Sequence, residues 1–99
     1  MVINKSQDNG KVTLSLSGRL DTTTAPQLQD ALLPAFDEAS EIHLDFTDLA
    51  YVSSAGLRVL LIGQKMAITK GAIMIVTNIC DEIMEVLDMT GFSNVLTLA

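Results

Sequence analysis

Ninety-nine residues, 48% apolar but only 4% aromatic, suffice for one domain around an aliphatic core and are too apolar for a disordered chain. Twelve acidic residues against six basic ones give a net charge of −6 with no Lys/Arg cluster, which argues against direct binding of nucleic acid. Cys80 is the sole cysteine, which excludes an intramolecular disulfide and a Cys-based metal site. The opening MVINKSQDNG has no apolar signal core, and no run reaches the ~18 apolar residues that a membrane span needs. The chain therefore reads as one cytoplasmic domain over residues 1–99, without a membrane partner.

Residues 2–6 suit a short first strand. Asp8-Asn9-Gly10 is a hairpin turn signal, and in KVTLSLSG, from Lys11 to Gly18, Val12, Leu14 and Leu16 alternate with Thr13, Ser15 and Ser17. A β-hairpin is predicted to open the domain. Leu28, Ala31, Leu32, Ala35 and Phe36 then mark one face of a helix over about residues 25–39, with Pro26 in its first turn and a threonine just ahead as the cap. Pro34 removes a helical hydrogen bond, so this helix is expected to bend or break there.

Ile42, Leu44 and Phe46 alternate with polar residues in EIHLDFT, the next strand, Glu41 to Thr47. A second helix is predicted from about Ser54 to Lys70, closed by Gly71. AIMIVT, Ala72 to Thr77, reads as a buried central strand. A third helix is expected to begin near Asn78, with Ile79, Ile83, Val86 and Leu87 on one face and Asp81 and Glu82 in its first turn. Gly91 stops it, and Asn94 to Leu98 suit a final edge strand. The order β-β-α-β-α-β-α-β implies an α/β fold: a mixed sheet of about four to five strands, with three to four helices mainly on one face.

Catalytic and metal constellations are scarce. His43, the only histidine, falls on the polar side of its strand and reads as a surface residue without a partner for general base work. Asp45, Asp48, Asp81, Glu82, Glu85 and Asp88 lack the spacing of a calcium loop and read as solvated charges. No phosphate-binding loop, dinucleotide fingerprint, HExxH or nucleophile elbow occurs. The expectation is a protein that is not an enzyme and holds neither cofactor nor metal.

Ser53 and Ser54 are different. They sit where backbone N–H groups lack intrahelical partners, so a hydroxyl there can cap the second helix, while a phosphate there would be favoured by the helix dipole. Ala55 and Gly56 keep the turn low enough for close approach by another protein. Phosphorylation would add about −1.5 to −2 charges at one point, enough to oppose docking without refolding.

The stretch DLAYVSSAGLRVLL, Asp48 to Leu61, resembles the phosphorylation loop and following helix of the STAS domain, specifically of the anti-sigma factor antagonists of bacterial partner-switching systems. GRLDTTTAPQL, Gly18 to Leu28, is similar to the turn and helix entry of that family, and IVTNICDEIMEVLDMTGF, Ile75 to Phe92, to its last strand–helix unit. The resemblance covers essentially the whole chain. It implies the STAS fold and a phosphoacceptor at Ser54, with Ser53, at a position that is often Asp, as the alternative. It also implies a partner-binding surface of Asp21, Thr22, Ser53, Gly56, Leu57 and Arg58.

The partners so implied are a serine kinase of the histidine-kinase-like ATPase fold, doubling as the anti-sigma factor, and a metal-dependent serine phosphatase that resets the cycle. Nucleotide and magnesium would belong to the partners. The runner-up implied by the same resemblance is a constitutive subunit of a lipid-transport ATPase or a sensory assembly.

Overall fold

The computed structural model describes residues 1–99. Strand β1 (Val2–Asp8) pairs antiparallel with β2 (Lys11–Leu20) across a turn in which Asn9 and Gly10 both have positive φ, the conformation that a two-residue hairpin demands. Helix α1 (Ala25–Glu38) leads to β3 (Glu41–Val52), α2 (Ser54–Lys70) to β4 (Ile73–Thr77), and α3 (Asp81–Thr90) through a short 3₁₀ turn, Phe92–Asn94, to β5 (Thr97–Leu98). The strands lie in the order β1-β2-β3-β4-β5, with every pair after the hairpin parallel. Each crossover steps the same way along the sheet, so the right-handed rule places all three helices on one face.

Side-chain alternation selects that face. Val12, Leu14 and Leu16 of β2, Ile42, Leu44 and Phe46 of β3, and Met74 and Val76 of β4 are buried beneath the helices. They meet Leu28, Leu32 and Phe36 of α1, Leu57 and Leu60 of α2, and Ile83 and Leu87 of α3 in one core. No polar or charged side chain is buried, so the fold carries no desolvated charge to offset.

Several boundaries depart from the sequence reading. Pro34 does not interrupt α1: it stands on the exposed side, where water can serve the carbonyl of Asp30 that it leaves without a partner. β3 extends five residues beyond Thr47, through irregularities in its pairing with β2 that interrupt strict alternation. β4 is not fully buried, because one sheet face has no helix over it and Ile73 is 51% exposed. α3 starts at Asp81 rather than near Asn78: Asn78 adopts a left-handed φ of 57° and donates from Nδ2 to Asp45 Oδ1 at 3.0 Å. The final strand shrinks to Thr97–Leu98, since Phe92–Asn94 coil into the 3₁₀ turn. Gly71 and Gly91 close α2 and α3 in the left-handed conformation, as their positions require.

Candidate functional site

In an open α/β sheet the chemistry gathers at the carboxyl ends of the parallel strands, where the following helices present their N-termini. Two connections meet there, residues 21–24 between β2 and α1 and Ser53 alone between β3 and α2, while residues 78–80 between β4 and α3 lie further back along β3, because β4 ends level with Asp45. The Ser53 N–H donates to the Leu20 carbonyl at 2.9 Å, which ties the end of β2 to the start of α2. The sequence motifs around Asp21 and Ser53-Ser54 are thus brought side by side.

Ser53 and Ser54 divide the work between them. Ser53 is the N-cap of α2, its backbone extended and its Oγ accepting from the Gly56 N–H at 3.4 Å. Its carbonyl accepts the first helical bond, from Leu57 N–H at 2.9 Å. Ser54 is the first residue of the helix, is exposed, and takes no part in the cap. Gly56 explains how the two segments come so close. A Cβ there would stand 2.6 Å from Leu20 Cγ and 3.1 Å from the Leu20 carbonyl oxygen, so any larger residue pushes α2 off the end of β2.

Asp21 organises the neighbouring turn. Its Oδ1 accepts from Thr23 Oγ1 at 2.8 Å and from the N–H groups of Thr23 and Thr24 at 3.0 and 3.2 Å. The Thr23 hydroxyl first, and then the two N–H donors, hold this carboxyl below its ordinary range against the opposing effect of partial desolvation. Thr24 does stand at the N-cap of α1, but its side chain makes no cap bond: its hydroxyl donates to the Arg19 carbonyl at 2.8 Å and accepts from the Asp21 N–H at 2.8 Å. The aspartate, not the threonine, receives the N–H groups of Thr23 and Thr24 that precede the helix.

Of the remaining residues expected at the surface, Thr22 and Arg58 are exposed and flank the serine turn. Gly56 is buried and Leu57 only 6% exposed, with its side chain in the core, so these two set the backbone's height and do not offer side-chain surface. His43 lies on the helix-free sheet face with Nε2 2.6 Å from Glu41 Oε2, at a strand position remote from Ser53. Cys80 is half-buried at the start of α3, its Sγ 4.0 Å from the Leu49 carbonyl. Neither joins the serines.

Sequence reasoning passes over Arg19 and Tyr51. They are register partners at the ends of β2 and β3, with the Arg19 guanidinium carbon 4.0 Å from the Tyr51 ring centroid and Nε 3.8 Å from Asp21 Oδ2. The available signal was their place immediately ahead of Leu20-Asp21 and Val52-Ser53. The register shift between Gly18 and Arg19 hides the pairing from an alternation count.

No helix is long and apolar enough to cross a membrane. Comparison with known proteins agrees with this architecture. The chain is 22% identical over 97 residues to the anti-sigma-B factor antagonist of Bacillus subtilis, covering 98% of this chain and 89% of that one. It is 23% identical over 95 residues to the namesake in Listeria monocytogenes, covering 95% and 83%. Among solved structures, the anti-sigma factor antagonist SpoIIAA in its unphosphorylated form superposes with a TM-score of 0.84 at 18% identity, over 99% of this chain and 88% of that one. Its phosphorylated form, described as a Bacillus cell fate determinant, gives 0.76 at 18% identity, over 99% and 91%. A family model described as Mlab, STAS domain, matches residues 3–98, and the chain accordingly belongs to the STAS domain family, among whose members it is similar to anti-sigma factor antagonists.

Proposed function

We propose that residues 1–99 form one STAS domain acting as an anti-sigma factor antagonist under phosphorylation control, with Ser54 as the switch. The observation that carries this reading is the division of labour in the serine turn: Ser53 supplies the cap, which leaves the exposed Ser54 hydroxyl free at the first position of α2. A phosphoryl group on Ser54 therefore disturbs no structural bond. Unphosphorylated, the surface made by Asp21, Thr22, Ser53, Ser54 and Arg58 docks on a serine kinase of the histidine-kinase-like ATPase fold, and the kinase releases its sigma factor. The kinase then transfers the γ-phosphoryl group of ATP to Ser54 Oγ: the new P–O bond forms, the bond to ADP breaks, and the hydroxyl proton passes to the kinase. A dianionic group now occupies the contact and the complex dissociates. A metal-dependent serine phosphatase hydrolyses the ester and restores the cytoplasmic cycle. The chain is substrate and ligand in this scheme, not catalyst.

The second reading, a constitutive subunit of a multiprotein assembly such as a lipid-transport ATPase, is favoured by one observation: the matching family model is described by Mlab and STAS domain, not by antagonism. Intact-mass measurement with ATP and the serine kinase encoded in the same genome separates the two. Phosphorylation control predicts one added phosphate on the wild type, none on Ser54→Ala, and loss of kinase binding by Ser54→Asp. Stable complex formation without any phosphate transfer supports the constitutive subunit, and phosphate on both proteins moves the acceptor to Ser53.

A further inference from the structure

We propose that Arg19 and Tyr51 form a preassembled second half of the docking surface, which receives a carboxylate-bearing segment of the serine kinase; this inference rests on the antagonist reading above.

Position comes first. The pair lies one register step before Leu20 and Val52, and the Ser53 N–H to Leu20 carbonyl bond joins that strand end to the serine turn. The surface around Ser54 thus continues onto the ends of β2 and β3. Exposure is the second point. The Arg19 side chain is 63% exposed, and Tyr51, the chain's only tyrosine, is 39% exposed. Arginine and tyrosine are among the residues that most often dominate binding energy once an interface covers them.

Preorganisation is the third. The tyrosine ring covers one face of the guanidinium and Asp21 faces its Nε edge, which leaves the terminal N–H groups to grip a planar carboxylate. A long side chain already fixed in this way loses less entropy on binding than a free one. Charge decides the chemistry of the occupant. Lys5 and Lys70 are paired with Glu38 and Asp37 near the amino ends of the strands, whereas Arg58 is exposed on the first turns of α2 and Arg19, although Asp21 faces its Nε at 3.8 Å, keeps its terminal N–H groups at an exposed strand end. On a chain of net charge −6, these two guanidinium groups are the arginine charges nearest the serine turn, and the free N–H fork of Arg19 matches a planar carboxylate.

A purely structural role explains the pair less well. Leu20 and Val52 already pair through their backbones, and an exposed cation–π contact adds little to stability.

The test is calorimetric titration of the same-genome kinase with unphosphorylated wild type, Arg19→Ala, Arg19→Glu, Tyr51→Ala, Tyr51→Phe and, as control, Ser54→Asp. Arg19→Ala and Tyr51→Ala should each weaken binding about tenfold, and a variant carrying both substitutions, titrated alongside them, by less than the product, because the two act as a unit. Tyr51→Phe should bind like wild type, since the ring and not the hydroxyl carries the stack. Arg19→Glu should lose about tenfold more than Arg19→Ala through repulsion by the partner's carboxylate. Thermal melts of the same proteins check that each variant is folded.

Wild-type binding that Ser54→Asp abolishes, alongside Arg19 and Tyr51 variants within twofold of wild type, would overturn the platform and leave the antagonist reading standing. Equal affinity of Arg19→Glu and Arg19→Ala would overturn the carboxylate as its occupant. Absence of wild-type binding to the kinase would overturn the reading itself, and the platform with it.

Discussion

Gly56 shows how one missing side chain sets the geometry of the serine turn. With Leu20 Cγ and the Leu20 carbonyl oxygen both inside the space that a Cβ would claim, Gly56→Ala must move backbone and not merely a side-chain tip. The Ser53–Leu20 hydrogen bond and the cap at Ser53 share that backbone, so the strain reaches the proposed acceptor, Ser54, directly. Gly56→Ala is expected to lower the stability to urea unfolding by about 1–3 kcal/mol, the usual cost of overpacking. It should also slow phosphorylation of Ser54 at temperatures where the variant remains folded. Gly63 offers a control: its Cβ would meet Leu32 Cδ2 and Met74 Sδ, the yielding ends of flexible side chains, and lies well along α2 from the turn. Gly63→Ala should cost less and leave the phosphorylation rate unchanged, and an equal effect of both on rate would refute the local role given to Gly56.

Helix α2 connects that residue to the proposed switch at Ser54. Ser54 is its first residue and Arg58 lies four positions on, one turn along the same side of the helix. A phosphate at Ser54 would face the positive helix end and come within reach of the Arg58 guanidinium, so modification should stabilise the folded chain by about 0.3–1 kcal/mol while it abolishes docking. Melting of the phosphorylated and unphosphorylated proteins tests this; a lower melting temperature after phosphorylation would mean that the switch works by loosening α2.

The limits of α2 were readable to the residue, because a serine cap, a long apolar-rich run, a terminal lysine and a left-handed glycine all agree along one element. The opposite case is the second half of β3. There the apolar spacing passes from Phe46 to Leu49 to Val52, a break in period caused by irregular pairing with β2, and pairing is a tertiary property. Asn78 misled for a related reason: its left-handed backbone is supported by Asp45, thirty-three positions away in sequence. The serine turn was legible as chemistry, whereas Arg19–Tyr51 became visible only once two distant strand ends were side by side.

At the scale of the whole molecule, two carboxylates fasten connections that follow parallel strands, Asp21 beside the serine turn and Asp45 further back at the end of β4, and both respond to acid. Asp45 Oδ1 accepts from Thr47 Oγ1 at 2.6 Å, from the Thr47 N–H at 3.0 Å and from Asn78 Nδ2 at 3.0 Å, so it clips β3 to the β4–α3 connection. Asp21 fastens the β2–α1 connection through Thr23 and Thr24. Hydrogen bonds hold both carboxyls below the ordinary aspartate value of 3.8, led by the Thr47 hydroxyl for Asp45 and the Thr23 hydroxyl for Asp21. The sign follows from linkage: a carboxyl depressed in the folded state stabilises it above the unfolded pKa, and that contribution is lost as pH falls through the lower, folded value. These two groups should therefore leave stability level from pH 7 down to about 5 and erode it below about 4. Urea unfolding of Asp45→Asn should show a deficit of no more than about 1 kcal/mol at pH 7, because solvent screens the group, and the deficit should shrink as the wild-type carboxyl protonates. Asp21→Asn should show the same convergence, accompanied at neutral pH by weaker kinase binding, since its turn frames the proposed docking surface. A deficit that persists undiminished at pH 2.5 would show that the asparagine disturbs packing, and would detach the acid response of the fold from the two carboxylates that fasten its strand-to-helix connections.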